Sequence, residues 1–426
     1  MDQHLKTITF TPGIALTCAL AALCSISLFT AANSQELERP DTVANRDRPE
    51  FDPKGLPLGG FTLFPSVGIA LRYDNNIFAD DDTEKGDSST VISPEAQLRS
   101  NWSRHRLSVV GGADRARYNN NFSEDYDDYR IRTDGRYDLR DSQIDGAAWH
   151  YRLHEDRTSP DDERGTELTK YSVSALTGAY TYMPGRIMLK GDVGYRGLDY
   201  SDTDTTTGQI DNNDRDRDKT ELGLRAGYKV NPDYIVFAEV RFDQIEYDQK
   251  FDNDGFERSS DSFEFVGGTQ LDLSGRTFGE IYAGYLERNY DDDSFNKADG
   301  LTFGAAVTYN VTQLTTLEFS GGRTIDSTTI VGAAGIETTT LGVRGDHELF
   351  RNLILSADLE YTNEDFDGID REDDIWLFEI GGEYKMNRYL QVNLGYRLRD
   401  RDTSPESAGG RTYTAQDVFL GVTGRL

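Results

Sequence analysis

The chain has 426 residues, a formal net charge of −30, 36% hydrophobic and 28% charged residues. Outside the N-terminus there is no apolar run of about 18 residues, which excludes a helical membrane protein. Disorder is excluded by 11% aromatic residues and by 41 glycines against 11 prolines. A chain polar on average yet rich in aromatics and glycine has the composition of a transmembrane β-barrel, where only every second strand residue faces lipid.

Residues 1–32 read as a secretory signal peptide. Lys6 gives a modest positive start, Gly13 to Phe29 is apolar, and Thr30-Ala31-Ala32 supplies small residues for cleavage. A lone membrane anchor is the alternative. Cys18 and Cys24 both lie in this segment, so the chain beyond it has no thiol for disulfides, metal sites or nucleophilic catalysis. Residues 33–59 carry Pro40, Pro49, Pro53 and Pro57 without strand alternation, and read as an extended periplasmic lead-in.

From residue 60 to 426 the sequence alternates with period two in segments of about ten residues, the length of a membrane-spanning strand. The clearest runs from Tyr129 to Arg140. Tyr129, Ile131, Thr133, Gly135, Tyr137 and Leu139 share one face, and Arg130, Arg132, Asp134, Arg136, Asp138 and Arg140 the other. A helix turning about 100° per residue would scatter these charges all round. Similar segments oppose Val193 to Arg196, Leu224 to Arg225, Val240 to Arg241, Leu355 to Asp358 and Leu394 to Arg397.

Strand cores are expected at 62–73, 89–99, 106–118, 128–140, 144–155, 168–181, 187–199, 219–230, 234–247, 260–272, 277–290, 300–309, 314–325, 338–349, 353–363, 375–385, 389–400 and 413–425. Short turns follow the even strands, for example Met183-Pro184-Gly185, Asn310-Val311-Thr312, Phe350-Arg351-Asn352 and Met386-Asn387-Arg388. Longer polar loops follow the odd ones, the longest near 201–217. The expected fold is therefore all-β: one antiparallel transmembrane barrel of about 18 strands, with short periplasmic turns and longer extracellular loops. Tyr73, Phe78, Tyr195, Tyr200, Tyr247 and Tyr290 are expected in the outer aromatic girdle, and Tyr182, Tyr228, Tyr309 and Phe350 in the inner one.

The lumen face is read as charged. Its candidates are Arg130, Arg132, Asp134, Arg136, Arg152, Arg196, Arg225, Arg241, Arg344, Arg397 and Arg399, interleaved with acids. They form either a self-neutralising ladder or a cationic track for an anionic or polyhydroxyl solute. Acidic runs such as Asp80-Asp81-Asp82 and Asp291-Asp292-Asp293 fall in the long loops, as a solvated rim or a divalent-cation belt towards lipopolysaccharide phosphates. Nucleic acid is excluded as a partner, because phosphate binding needs clustered positive charge.

No catalytic motif is present, and no cofactor or metal site is expected. His150 and His154 lie about 13 Å apart on one strand, too far to share an ion. The nearest approach to an enzymatic grouping is His154 with Asp156, Asp161 and Asp162.

The stretch Arg48-Pro49-Glu50-Phe51-Asp52-Pro53-Lys54-Gly55, then Phe61-Thr62-Leu63-Phe64-Pro65-Ser66 and Tyr73-Asp74-Asn75-Asn76-Ile77-Phe78-Ala79, resembles the opening of outer-membrane β-barrel porin family 2. Ser93-Pro94 and Arg99-Ser100-Asn101-Trp102-Ser103-Arg104-His105 extend the likeness, whereas the terminal Leu426 departs from the aromatic end usual in barrels. The resemblance implies a non-enzymatic outer-membrane pore of a Gram-negative envelope, in contact with outer-membrane lipid and lipopolysaccharide. It further implies export of exopolysaccharide together with a periplasmic polysaccharide exporter. A general diffusion porin for small solutes and a structural barrel without flux are the alternatives. Loops of short to medium length, with no long third loop to fold inward, favour export.

Overall fold

The computed structural model describes residues 42–426 apart from 207, 274 and 406–409. The signal peptide expected at 1–32 lies outside the described residues. The strands are β1 (Phe61–Asp74), β2 (Asp87–Ser100), β3 (Arg106–Tyr118), β4 (Tyr126–Asp138), β5 (Ser142–His154), β6 (Lys170–Tyr182), β7 (Ile187–Tyr200), β8 (Arg217–Asn231) and β9 (Tyr234–Tyr247). They continue as β10 (Ser260–Leu273), β11 (Thr277–Tyr290), β12 (Ala298–Thr312), β13 (Thr315–Asp326), β14 (Gly335–Phe350), β15 (Leu353–Asp367), β16 (Glu372–Asn387), β17 (Leu390–Ser404) and β18 (Tyr413–Arg425). Each pairs antiparallel with its neighbours in sequence. The wall closes where β1 meets β18, with Ser66 opposite Arg425 and Asp74 opposite Asp417. Closure leaves no open edge between the first and last strands, the condition for a sheet to cross a bilayer. At about 4.8 Å per strand and about 40° of tilt, eighteen strands enclose a backbone radius of about 18 Å.

The alternation read from the sequence is the alternation of the two surfaces. Tyr129, Ile131, Val193, Leu224, Leu355, Trp376 and Leu394 point outward and are exposed, while Arg136, Arg225, Arg241 and Arg397 are buried on the lumen side. The short-turn girdle is present in Tyr182, Tyr228, Tyr309 and Phe350, all exposed. At the other end the expectation holds for Tyr73 and Tyr195 but fails for Tyr200 and Tyr247, which are buried on the lumen face. Tyr200 stacks on Tyr171 at 5.2 Å and lies under the Arg215 guanidinium at 4.1 Å, so it braces a loop.

The hairpin tips also differ in detail. The turns after β12 and β16 fall at Gln313-Leu314 and Arg388-Tyr389, beyond the expected Asn310-Val311-Thr312 and Met386-Asn387-Arg388. In both hairpins, and in those after β8 and β14, the register shifts by one residue just before the turn. The extra residue is a β-bulge, which increases local twist and lets a two-residue turn close.

Candidate functional site: the lumen and its two mouths

The lumen wall is a charge ladder. Glu239, buried on β9, accepts from Arg225 Nε at 2.7 Å and from Arg241 Nε at 3.0 Å. Arg225 continues to Glu280 at 2.7 Å, Arg241 to Glu264 at 2.8 Å, and Arg288 to Asp243 at 2.8 Å. On β4, Arg130 bridges Glu95 at 3.0 Å and Asp114, Arg132 binds Asp134 at 2.9 Å, and Arg136 binds Asp145 at 3.0 Å. Farther round, Arg344 pairs with Asp346 at 3.2 Å and Arg397 with Glu379. Charges buried in this way persist because each is matched; a lone one would cost several kcal/mol. This places Arg130, Arg132, Asp134, Arg136, Arg225, Arg241, Arg344 and Arg397 on the lumen face as pairs. Arg196 also faces the lumen, opposite Lys219, with no carboxylate partner among the described residues.

Arg152 is a correction. It lies opposite Tyr129 on one side and Ser172 on the other, and it is exposed on the outer surface. The lumen side of β5 carries Asp145, Trp149 and Tyr151 instead, opposite Arg136, Arg132 and Arg130. Sequence reasoning grouped the polar residues of this strand as the inward set, yet here aromatics face in and His150 and Arg152 face out. The signal was available: Arg132 needs a neighbour, and its guanidinium sits 4.9 Å from the Trp149 ring.

The mouth at the long-loop end is spanned by residues 155–169, which follow β5. Arg399 on the lumen face of β17 donates through Nη1 to the Thr158 hydroxyl at 2.5 Å, and Arg401 donates to the Thr158 carbonyl at 2.9 Å. β17 stands six positions round the wall from β5, so this segment crosses the opening. Other loops hold it along its length. Arg157 Nη2 binds Glu124 at 3.0 Å, Arg215 Nη1 binds Glu155 at 2.9 Å, and Arg411 donates to the Arg157 carbonyl at 2.7 Å. Thr328, on the far side of the mouth, donates to Asp161 at 2.6 Å. The expectation that no third long loop folds inward is therefore corrected: this is the third loop at that end.

Burial would push the Glu155 carboxyl up, but the Arg215 charge and bonds from Arg215 and Ser159 outweigh it and hold it below the ordinary range. Asp156 is likewise held low, against burial, by the Arg399 charge and bonds from Thr158. For Asp162 burial wins over Arg157 and Arg411, and its carboxyl is raised.

The opposite mouth is lined on one side by the segment that precedes β1. Arg48 has a fully buried side chain; its Nη2 donates to Glu348 at 2.8 Å and to the Val43 carbonyl at 2.7 Å. The Val43 amide donates to Thr316 Oγ1 at 3.0 Å, docking the segment on the lumen face of β13 and β14. From there it reaches β16 through Asp52 and Lys385 at 3.7 Å, and β18 through the Phe51 carbonyl and Arg425 at 3.1 Å. A short strand, Leu56–Leu58, then pairs back on β1. Gly55, at φ +66°, is required there: a Cβ would stand 2.5 Å from Thr62 Cγ2 and 2.9 Å from the Leu63 carbonyl.

The histidines do not assemble a catalyst. His154 Nδ1 lies 2.9 Å from Asp128 and its ring stacks on Tyr126 at 3.8 Å, away from Asp161 and Asp162, which serve Thr328 and Arg157. Among the described residues no group of three side chains could hold a metal ion.

Comparison with known proteins follows the same lines. The family model described as "Putative beta-barrel porin 2" matches residues 48–426. Solved barrels are similar only in outline. OpdL of Pseudomonas aeruginosa shares 11% identity over 87% of this chain and 99% of its own, with a TM-score of 0.43. OccK2 (OpdF) of the same organism, solved in complex with glucuronate, shares 11% over 86% and 98%, at 0.45. OccAB4 of Acinetobacter baumannii shares 10% over 85% and 98%, at 0.45. No curated protein matches the chain.

Proposed function

The chain belongs to this β-barrel porin family and is a porin-like channel of the Gram-negative outer membrane, not an enzyme; on that premise we propose that it conducts small polar solutes by passive diffusion. The long loops then face the cell exterior and the short turns the periplasm. The observation that carries the reading is the 155–169 loop, tied by Thr158 to Arg399 and Arg401 across the mouth. A loop held from both sides leaves a restricted passage for small hydrated molecules. It stands in the path of a polymer, so export of exopolysaccharide with a periplasmic exporter would require it to swing out. The paired lumen charges favour a polar, weakly selective passage over a cationic track, since most of the lumen guanidiniums, Arg196 apart, have a carboxylate within about 3 Å.

The test is swelling of proteoliposomes in uncharged sugars of graded size. Monosaccharides should enter rapidly and oligosaccharides progressively more slowly. Absence of swelling in every sugar, with the barrel folded by heat-modifiability, would leave a structural barrel without flux.

A further inference from the structure

Arg152 is unusual among the outward-facing cations. Arg115 pairs with Asp127, Arg117 with Asp125 and Asp127, Lys170 with Glu167, and Arg323 with Glu337, while Lys297, just before β12, pairs with Glu287 and Asp299. Arg152 is exposed and has no carboxylate partner among the described residues. A guanidinium on the outer wall costs about 2–4 kcal/mol at the bilayer midplane and almost nothing at the interface. Its level on the wall can be read from its neighbours. Below it the outward residues are Ile144, Gly146 and Ala148 on β5 and Leu176, Gly178 and Tyr180 on β6. At His150 opposite Ser174, and Arg152 opposite Ser172, the apolar band gives way to imidazole, hydroxyl and guanidinium. His150 Nδ1 and Ser174 Oγ are 2.8 Å apart. That boundary is where hydrocarbon ends and headgroups begin.

Elsewhere the same rim is acidic and already satisfied. Tyr195 donates to Asp218 at 2.7 Å and Tyr361 to Asp374 at 2.5 Å, and Tyr285 donates to Asp299. An anionic headgroup would be repelled along those strands and drawn to Arg152 on β5, on the side of Ser172 away from the exposed Asp199 of β7.

We propose that Arg152, with His150, Ser172 and Ser174 beside it, docks a phosphate of a phosphorylated glycolipid of the outer leaflet. The guanidinium fork supplies two parallel donors to phosphate oxygens, and the hydroxyls can add more. The inference rests on the outer-membrane location and not on what the channel carries.

Native mass spectrometry of the detergent-solubilised barrel, titrated separately with bisphosphorylated lipid A, dephosphorylated lipid A and phosphatidylglycerol, tests it. Arg152→Gln should weaken binding of bisphosphorylated lipid A about fivefold, the worth of one basic residue at an anionic surface. Arg152→Lys should keep most of the affinity, and dephosphorylated lipid A should not distinguish the wild type from Arg152→Gln. Equal affinity of wild type and Arg152→Gln for bisphosphorylated lipid A, both heat-modifiable, overturns the site. A loss confined to phosphatidylglycerol overturns its assignment to a glycolipid.

Discussion

The Thr158 hydroxyl accepts from Arg399 at 2.5 Å although the two residues belong to loops and strands on different sides of the barrel mouth. With the Arg401 bond to the Thr158 carbonyl, this is the far tether of the loop that narrows the channel. Deleting residues 158–164 should leave the wall intact, because none of its strands loses a residue. Single-channel conductance in planar bilayers should rise, and larger sugars should pass in swelling assays. Unchanged conductance would mean that the passage is set elsewhere.

Acidification should loosen the same loop, but late. Glu155 and Asp156 are held below their ordinary range, so their contribution is complete above the unfolded values, about 4.3 for Glu and 3.9 for Asp, and is lost as pH falls through the lower folded values. Asp162 acts in the opposite sense: its raised carboxyl is relieved by protonation, so its penalty fades first as pH falls. Conductance should therefore stay flat from neutral pH into the mildly acidic range and rise only below the normal carboxylate range. A rise already near pH 6 would contradict this ordering.

At the periplasmic mouth, Glu348→Gln should release the N-terminal segment by leaving the Arg48 guanidinium buried without its counter-charge. Breaking one partner of a buried pair costs about 3–5 kcal/mol. Limited trypsin digestion of folded barrels should then cut after Arg46 or Lys54 at least tenfold faster than in the wild type, since about 1.4 kcal/mol already shifts an opening equilibrium tenfold and exposed segments are where proteolysis concentrates. Equal cleavage in wild type and variant would show that Arg48 does not hold the segment.

The wall itself gives a paired prediction. Val193→Arg and Leu355→Arg put a charge on the exposed outer face and should impair assembly by roughly 2–4 kcal/mol near the midplane. Arg196→Leu, on the lumen face without a carboxylate partner among the described residues, should assemble normally. Denaturant titration in lipid vesicles separates the two classes, and equal midpoints for all three would undo the assignment of faces.

The strands were legible because period two with charge on one side has few other solutions, and the expected cores agree with the observed strands to within a few residues. β9 and β18 agree at both ends. What was hidden depends on contacts far apart in sequence. Nothing local marks 155–169 as different from the loop near 201–217, since its inward path is set by Arg399, Arg401 and Arg411, more than two hundred residues later. The prolines of 33–59 suggested an extended lead-in; they could not show that Arg48, within its described part 42–59, is held against the wall by Glu348, three hundred residues away. Arg152 was misplaced because polarity was used to choose a face, when on β5 the lumen side is held by Trp149 and Tyr151 beneath the β4 arginines.

The short strand Leu56–Leu58 has a structural consequence at the seam. β18 covers the edge of β1 only from Ser66 onward, and Leu56–Leu58 covers Phe61 to Leu63 through a tight turn at Gly59, φ +61°. Between the two partners stands Pro65, whose carbonyl accepts from the Leu426 amide at 3.1 Å and which has no N–H to leave unmatched. One strand edge is thus shared by the element that shuts the cylinder and the element that lines its lower opening. Closing the wall and anchoring the segment that lines the periplasmic rim are stitched into a single hem, so that segment cannot come away entirely without fraying the place where the barrel is sewn shut.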